Sequence, residues 1–224
     1  MDAAFFDLDG TLLNSLADIG GACNRMLATH GFPEHPLAAY ATMVGNGFTR
    51  TVERAMPPDI LAGLSRAECE ALVAEARAQY AAHLFDQTAP YAGMDEALGA
   101  LAHHGLVLAV LSNKPDALTV ETIRHFFPHI PFALVRGARP ESPLKPDPRV
   151  ALDMLAELGL ESARCAYVGD SDVDMQTARN AGMLPVGAAW GFRGAAELAD
   201  AGARLLAAQP AELPALLCPP LAEK

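Results

Sequence analysis

Short apolar runs punctuate this chain, and most of them close on a polar residue or a glycine. The first covers residues 3–8 and ends in the turn signal Asp9-Gly10. Further runs follow at 106–112, 132–135, 165–169 and 184–189, with a weaker one at 203–208. Runs this short and this continuously apolar read as strands buried on both faces. Between most of them the period becomes helical. One such stretch, 95–104, is stopped by Gly105. Another, 148–158, has Asp147 placed to cap, Pro148 in the first turn and Gly159 at the stop. A third, 173–181, is followed by Gly182. Strands alternating with helices predict a doubly wound parallel sheet, a Rossmann-like α/β core covered on both sides.

Residues 15–88 break that alternation. No convincing strand pattern lies there, whereas helical patterns are clear. Residues 16–30 are amphipathic and are stopped by Gly31 and Pro33. Ser65 with Glu68 forms a capping box, after which Cys69, Leu72, Val73, Ala76 and Tyr80 share one helical face. The chain therefore divides into an α/β core of residues 1–14 and 89–224 and an inserted helical domain of residues 15–88. The tail from Pro219 is expected to fray.

Composition narrows the choice of partners. The 224 residues are 51% hydrophobic and 19% charged, enough apolar material for a sizeable core, and the net charge is −11. An acidic balance without clustered Lys and Arg speaks against nucleic acid. It also requires that any anionic substrate be met by local cations or a metal. The start, Met1-Asp2-Ala3-Ala4-Phe5-Phe6-Asp7, has neither the basic residues nor the apolar run of a signal peptide, and no segment is apolar enough to span a membrane. Cys23, Cys69, Cys165 and Cys218 are scattered without a CxxC pair and read as reduced small hydrophobes. A cytoplasmic protein is expected.

Ligands of doubly wound sheets bind outside the carboxyl ends of the strands, so the polar residues there carry the candidate chemistry. Asp7 and Asp9, two apart after the first run, would face the same side and repel unless a metal lies between them or one carries a proton. Taken alone they also read as an Asp-Gly turn. Ser112-Asn113-Lys114 after the second run offers a hydroxyl and backbone N–H groups suited to a phosphate oxygen, though Ser-Asn-Lys-Pro is equally a plain turn. Lys145 stands before Pro146 and Pro148, which hold it in a rigid lead into the next helix. Gly169 lets backbone or ligand approach closely. Asp170 and Asp174 share a face if a helix begins there. Two acidic strand ends in one sheet make an oxygen-ligand site suited to Mg²⁺.

Asp-x-Asp-Gly-Thr, a hydroxyl residue after the next core strand, Lys-Pro, and Gly-Asp-x-x-x-Asp, in this order, resemble the four motifs of the haloacid dehalogenase superfamily. The likeness covers almost the whole chain, and the helical insert resembles the cap that one subfamily carries after its first motif. Phosphoglycolate phosphatases are the nearest likeness. Their opening is matched by residues 6–16, their Val-Gly-Asn-Gly turn by 44–47, and their Tyr-Pro-Gly by Tyr91-Ala92-Gly93. Ser112 stands where they more often have Thr, and Asn14 where Asp is frequent.

The resemblance implies a phosphatase acting on a small phosphorylated metabolite. Asp7 would be the nucleophile, Asp9 the acid and base, and Mg²⁺ would be bound by Asp7, the backbone carbonyl of Asp9 and Asp170, with Asp174 outside the metal shell. Ser112, Lys145, Thr11, Asn113 and backbone N–H groups after Asp7 would hold the phosphate. Asn46, Gly47 and Arg50 of the cap would meet the rest of a substrate such as 2-phosphoglycolate. Lys114 and Arg136 are candidates for the entrance. Asp9 separates phosphatases from dehalogenases, which need no acid for a halide. A phosphonate hydrolase would need a cap lysine, and residues 15–88 contain none. A broad sugar phosphatase, a phosphoglucomutase-like enzyme and a non-catalytic binding protein of the same fold stay open. So does monomer against homodimer.

Overall fold

The computed structural model describes residues 1–218; the tail from Pro219 lies outside them. The chain opens with β1 (Ala3–Phe6) and β2 (Leu13–Asn14). Four helices follow: α1 (Leu16–Thr29), α2 (Phe48–Ala55), α3 (Pro58–Gly63) and α4 (Arg66–Ala82). After β3 (Ala89–Pro90) come α5 (Met94–His103), β4 (Val107–Pro115), α6 (Asp116–Phe126), β5 (Phe132–Ala138) and α7 (Arg149–Leu158). The chain continues through β6 (Cys165–Gly169), α8 (Asp172–Asn180), β7 (Leu184–Ala188), α9 (Gly194–Asp200), β8 (Leu205–Ala207) and α10 (Leu213–Leu217).

Six strands form one parallel sheet in the order β5-β4-β1-β6-β7-β8. The strand order reverses at β1, whose neighbours β4 and β6 lead to opposite edges. This is the position at which the carboxyl ends of a doubly wound sheet leave a crevice. Alternation along the strands divides the apolar side chains between two cores. Ala4, Phe6, Leu108, Val110, Ala166 and Val168 pack with Met94, Leu98 and Leu101 of α5 and Leu213 and Leu217 of α10. Ala3, Phe5, Ala109, Leu111, Cys165 and Tyr167 pack on the other face with Ala151, Met154 and Leu155 of α7 and Ala178 of α8. Both phenylalanines of β1 are fully buried, each contributing about 1.5–3 kcal/mol relative to exposure.

The chain forms two compact units, residues 1–13 with 90–224, and residues 14–89. The second is helical. Its α4 begins with the Ser65–Glu68 capping box: Ser65 N donates to Glu68 Oε2 at 2.8 Å, and Glu68 N donates to Ser65 Oγ at 3.3 Å. Buried Asp18, in the first turn of α1, accepts from Gln87 N, Thr88 N and Thr88 Oγ1 at 2.6–3.0 Å. It thereby ties the beginning of this unit to its end. All four cysteines are free. No helix among the described residues is long and apolar enough to cross a membrane.

Candidate active site

Asp7 and Asp170 stand just past strands, Lys145 lies on the lead into α7, and Asp174 is in the first turn of α8. Ser112, Asn113 and Lys114 lie in the last residues of β4 rather than after it. Asp7 follows β1 directly and donates its N–H to Val168 O at 3.0 Å, which fixes it beside β6. Asp170 follows β6. Helix α8 starts at Asp172, two residues after Asp170, so Asp170 and Asp174 do not share a helical face. They meet because the chain turns between them: Asp174, in the first turn, accepts from Ser171 N at 3.1 Å and Ser171 Oγ at 2.7 Å. A Cβ on Gly169 would lie 2.2 Å from Asp174 Cβ, so the close approach expected of that glycine is to Asp174.

Lys145 joins the two acidic ends. Its Nζ lies 2.9 Å from Asp7 Oδ1, 2.7 Å from Asp174 Oδ1 and 2.9 Å from Tyr167 Oη. The Tyr167 hydroxyl in turn donates to Leu111 O at 2.6 Å. The backbone of Lys145 is pinned by Asn113, whose Nδ2 donates to Lys145 O at 3.1 Å and whose Oδ1 accepts from Lys145 N at 2.8 Å. Asn113, expected to face the phosphate, is therefore engaged in holding Lys145. Ser112 Oγ accepts from Lys114 N at 3.3 Å. Thr11 donates to Asp170 Oδ1 at 3.0 Å.

Buried charge dominates the electrostatics. Burial pushes the Asp7 carboxyl up to about 6, against the pull of Lys145, with Asp174 and Asp9 adding to the rise. Burial, then Asp174 and Asp7, hold Asp170 well above the usual carboxylate range. Burial pulls the Lys145 ammonium down, but Asp174 and Asp7 outweigh it and keep Lys145 well above its ordinary value. One carboxylate oxygen from each of Asp7, Asp170 and Asp174 lies within 4.8 Å of the others. Three buried carboxylates thus lie together, two of them on the Lys145 ammonium. Asp7 Oδ1, although at ion-pair distance from Lys145, accepts no well-directed hydrogen bond. Excess negative charge, hard oxygen donors and an unsatisfied carboxylate oxygen fit a divalent cation.

Three neighbours of this cluster carried no clear signal in the sequence. Phe192 N donates to Asp170 Oδ2 at 2.9 Å, and Trp190 Nε1 donates to Thr11 O at 2.9 Å. A Cβ on Gly191 would come within 2.2 Å of Asp170 Cβ and 2.4 Å of Gly10 O. The segment after β7 is apolar, so nothing in it announces a role beside a carboxylate. Lys114, weighed for the entrance, lies 3.1 Å from Asp9 Oδ1 with its side chain only 2% exposed. Arg136 pairs instead with Glu157 of α7. In the helical unit, Asn46 Oδ1 accepts from Arg54, Gly47 precedes α2 with φ +87°, and Arg50 is exposed and paired with Glu53.

The haloacid dehalogenase-like hydrolase family model matches residues 4–188. A phosphoglycolate phosphatase from Xanthomonas campestris pv. campestris is 35% identical over 191 residues, spanning 85% of this chain and 84% of the relative. A plasmid-borne phosphoglycolate phosphatase from Cupriavidus necator is 33% identical, spanning 97% of this chain and 93% of its own. A crystal structure from Lactobacillus delbrueckii subsp. bulgaricus, provisionally assigned as a phosphoglycolate phosphatase, superposes with a TM-score of 0.88 at 28% identity, covering 96% and 98% of the two chains. Match length, identity and fold agree with the acidic strand ends just described: the chain belongs to the haloacid dehalogenase-like hydrolase family and is a phosphoric monoester hydrolase.

Proposed function

We propose that this enzyme hydrolyses a small phosphate monoester, 2-phosphoglycolate foremost, through an aspartyl-phosphate on Asp7. The observation that carries the reading is the buried group of Asp7, Asp170 and Asp174, with Lys145 on Asp7 and Asp174 and with Asp9 two residues beyond Asp7. The names of the relatives at 35% and 33% identity support the choice of substrate.

In this reading a carboxylate oxygen of Asp7 attacks phosphorus and the bond to the ester oxygen breaks. Asp9 gives its proton to the departing alkoxide. It then takes one from the water that attacks the aspartyl-phosphate, releasing inorganic phosphate and restoring Asp7. Lys145 orients Asp7 and brings positive charge to the transferring group, while Ser112 and the backbone N–H groups after Asp7 surround the phosphate oxygens and Thr11, expected to join them, holds Asp170 instead. Asp174 has one oxygen on Lys145 and the other on Ser171, which makes it a support for the ammonium.

Asp7, Asp170 and the carbonyl of Asp9 would hold Mg²⁺. When bound, the ion offsets repulsion between Asp7 and the dianionic phosphate. Residues 14–89 would be the cap, with Asn46, Gly47 and Arg50 selecting the substrate.

The test is release of inorganic phosphate from 2-phosphoglycolate and from a panel of sugar and aromatic phosphates, with Mg²⁺ or with EDTA. Preferential turnover of phosphoglycolate that disappears with EDTA is expected, together with loss of at least about 10³-fold in Asp7→Asn. A fully active Asp7→Asn enzyme would refute the mechanism. Broad metal-dependent turnover would remove the named substrate and keep the chemistry.

A further inference from the structure

Among the described residues, the most deeply placed cation that this mechanism leaves unused is Lys114. Its ammonium lies 3.1 Å from Asp9 Oδ1, with side-chain exposures of 2% for Lys114 and 12% for Asp9. The strand end that carries it is tightly held. Lys114 N donates to Ser112 Oγ at 3.3 Å, and Lys114 O accepts from the buried Thr119 hydroxyl at 3.1 Å. At Gly137 of β5 a Cβ would stand 2.5 Å from Lys114 O, so only glycine lets the neighbouring strand approach this closely. A lysine clamped at its backbone and buried along its stem has little freedom to leave Asp9.

We propose that Lys114 determines specificity by binding a carboxylate on the leaving group; the proposal rests on the role of Asp9 given above. Asp9 must reach the ester oxygen to protonate it, so whatever that oxygen carries lies close to the ammonium paired with Asp9. In 2-phosphoglycolate the carboxylate carbon is two bonds from the ester oxygen. An ammonium has three N–H donors and can hold the Asp9 carboxyl, which carries the proton it is to give, and the substrate carboxylate together. A neutral leaving group of equal size places no anion there. Lys114 would thus favour an ester whose alcohol is a short hydroxy acid, in a protein whose net charge of −11 otherwise repels such a substrate.

The experiment compares kcat/KM for 2-phosphoglycolate with that for 2-hydroxyethyl phosphate, which replaces the carboxylate by a neutral CH2OH. The enzymes are the wild type, Lys114→Met and Lys114→Arg, all with saturating Mg²⁺. Both substrates should suffer in Lys114→Met because Asp9 loses its partner. Phosphoglycolate should fall about 10- to 100-fold further, chiefly through KM, while Lys114→Arg keeps most of the preference. Turnover of the neutral ester reports that each variant is folded; if Lys114→Met does not fold, Lys114→Gln gives the same readout. Equal losses on the two esters would overturn the proposal and leave Lys114 as a residue that only positions Asp9. A wild type that turns over both esters without preferring the carboxylate would overturn it while the phosphatase reading stands. A wild type that turns over no phosphate ester would end that reading and this one together.

Discussion

Gly191 sets how closely the segment after β7 can approach the candidate metal ligands. Its Cβ would meet Asp170 Cβ at 2.2 Å and the carbonyl of Gly10 at 2.4 Å, neither of which is the movable end of a flexible side chain. Relief would require backbone movement at Gly10 or a shift of Asp170, which Thr11 and the Phe192 N–H hold from two sides. Gly191→Ala should therefore lower stability by about 1–3 kcal/mol and weaken metal affinity by about 10- to 100-fold. Thermal melts over a Mg²⁺ titration read both, since a ligand bound by the folded state raises Tm. An unchanged Tm with an unchanged Mg²⁺-dependent rise would show that the contact is relieved at no cost. At Cys23 burial decides the chemistry: it pushes the thiol up to about 12, against a weaker pull from Arg25. Thiolate is the reactive form and is more populated as pH rises, so between pH 7 and 9 the native thiol stays protonated. Iodoacetamide labelling of Cys23, followed by mass spectrometry, should track unfolding in urea and show almost no rise with pH in its absence. Rapid labelling of the native protein at pH 8 would contradict this.

Among the elements, Asp18 shows how a helix start can fasten a distant part of the chain. It sits in the first turn of α1, where a carboxylate is favoured by the unpaired N–H groups, and it accepts from Gln87 and Thr88, about 70 residues away. Asp18→Asn turns one acceptor oxygen into an NH2 facing donors and removes the charge from the remaining bonds. We expect a loss of about 2–4 kcal/mol in the helical unit, seen as faster amide exchange at Gln87 and Thr88. Unaltered protection of both amides would mean that their bonds are made elsewhere. Asp18 had no motif to announce it, whereas the acidic strand ends did, because a buried apolar run closing on Asp is an unusual local pattern. Ser65–Glu68 was legible for the same reason: both partners lie within one turn. The parts that escaped the sequence reading depend on pairings between distant residues or on apolar segments. Lys114 meets Asp9 across 105 positions. Trp190, Gly191 and Phe192 act through an indole N–H, a missing Cβ and a backbone N–H. The start of α8 was legible to within one residue, Asp172 against the expected 173, whereas the turn at Ser171 that brings Asp174 back beside Asp170 is made by the Asp174 side chain, which periodicity does not register. Strands β2 and β3 have two residues each, too few to display a period.

At the scale of the whole molecule, charge is distributed against the substrate. The chain carries −11, while the site brings together Asp7, Asp9, Asp170 and Asp174 with Lys114 and Lys145, a formal local sum of −2 when all four acids are ionised. A bound divalent cation would bring that local sum to zero, so the attraction felt by an incoming phosphate is confined to the few ångströms in which individual cations are resolved. Further out, the field of the remaining acidic surface repels a dianion. Salt shortens the screening length from about 30 Å at 0.01 M to about 8 Å at 0.15 M. It therefore removes the distant repulsion while leaving contacts inside the buried cluster nearly unchanged. With Mg²⁺ held in excess, kcat/KM for a dianionic ester should rise about 2- to 5-fold from 10 to 150 mM NaCl, while kcat, measured with substrate already bound, stays flat. Enzymes that steer anions with a basic surface show the opposite slope. A kcat/KM that falls with salt here would mean that the cations at the site, rather than the acidic surface, govern the approach.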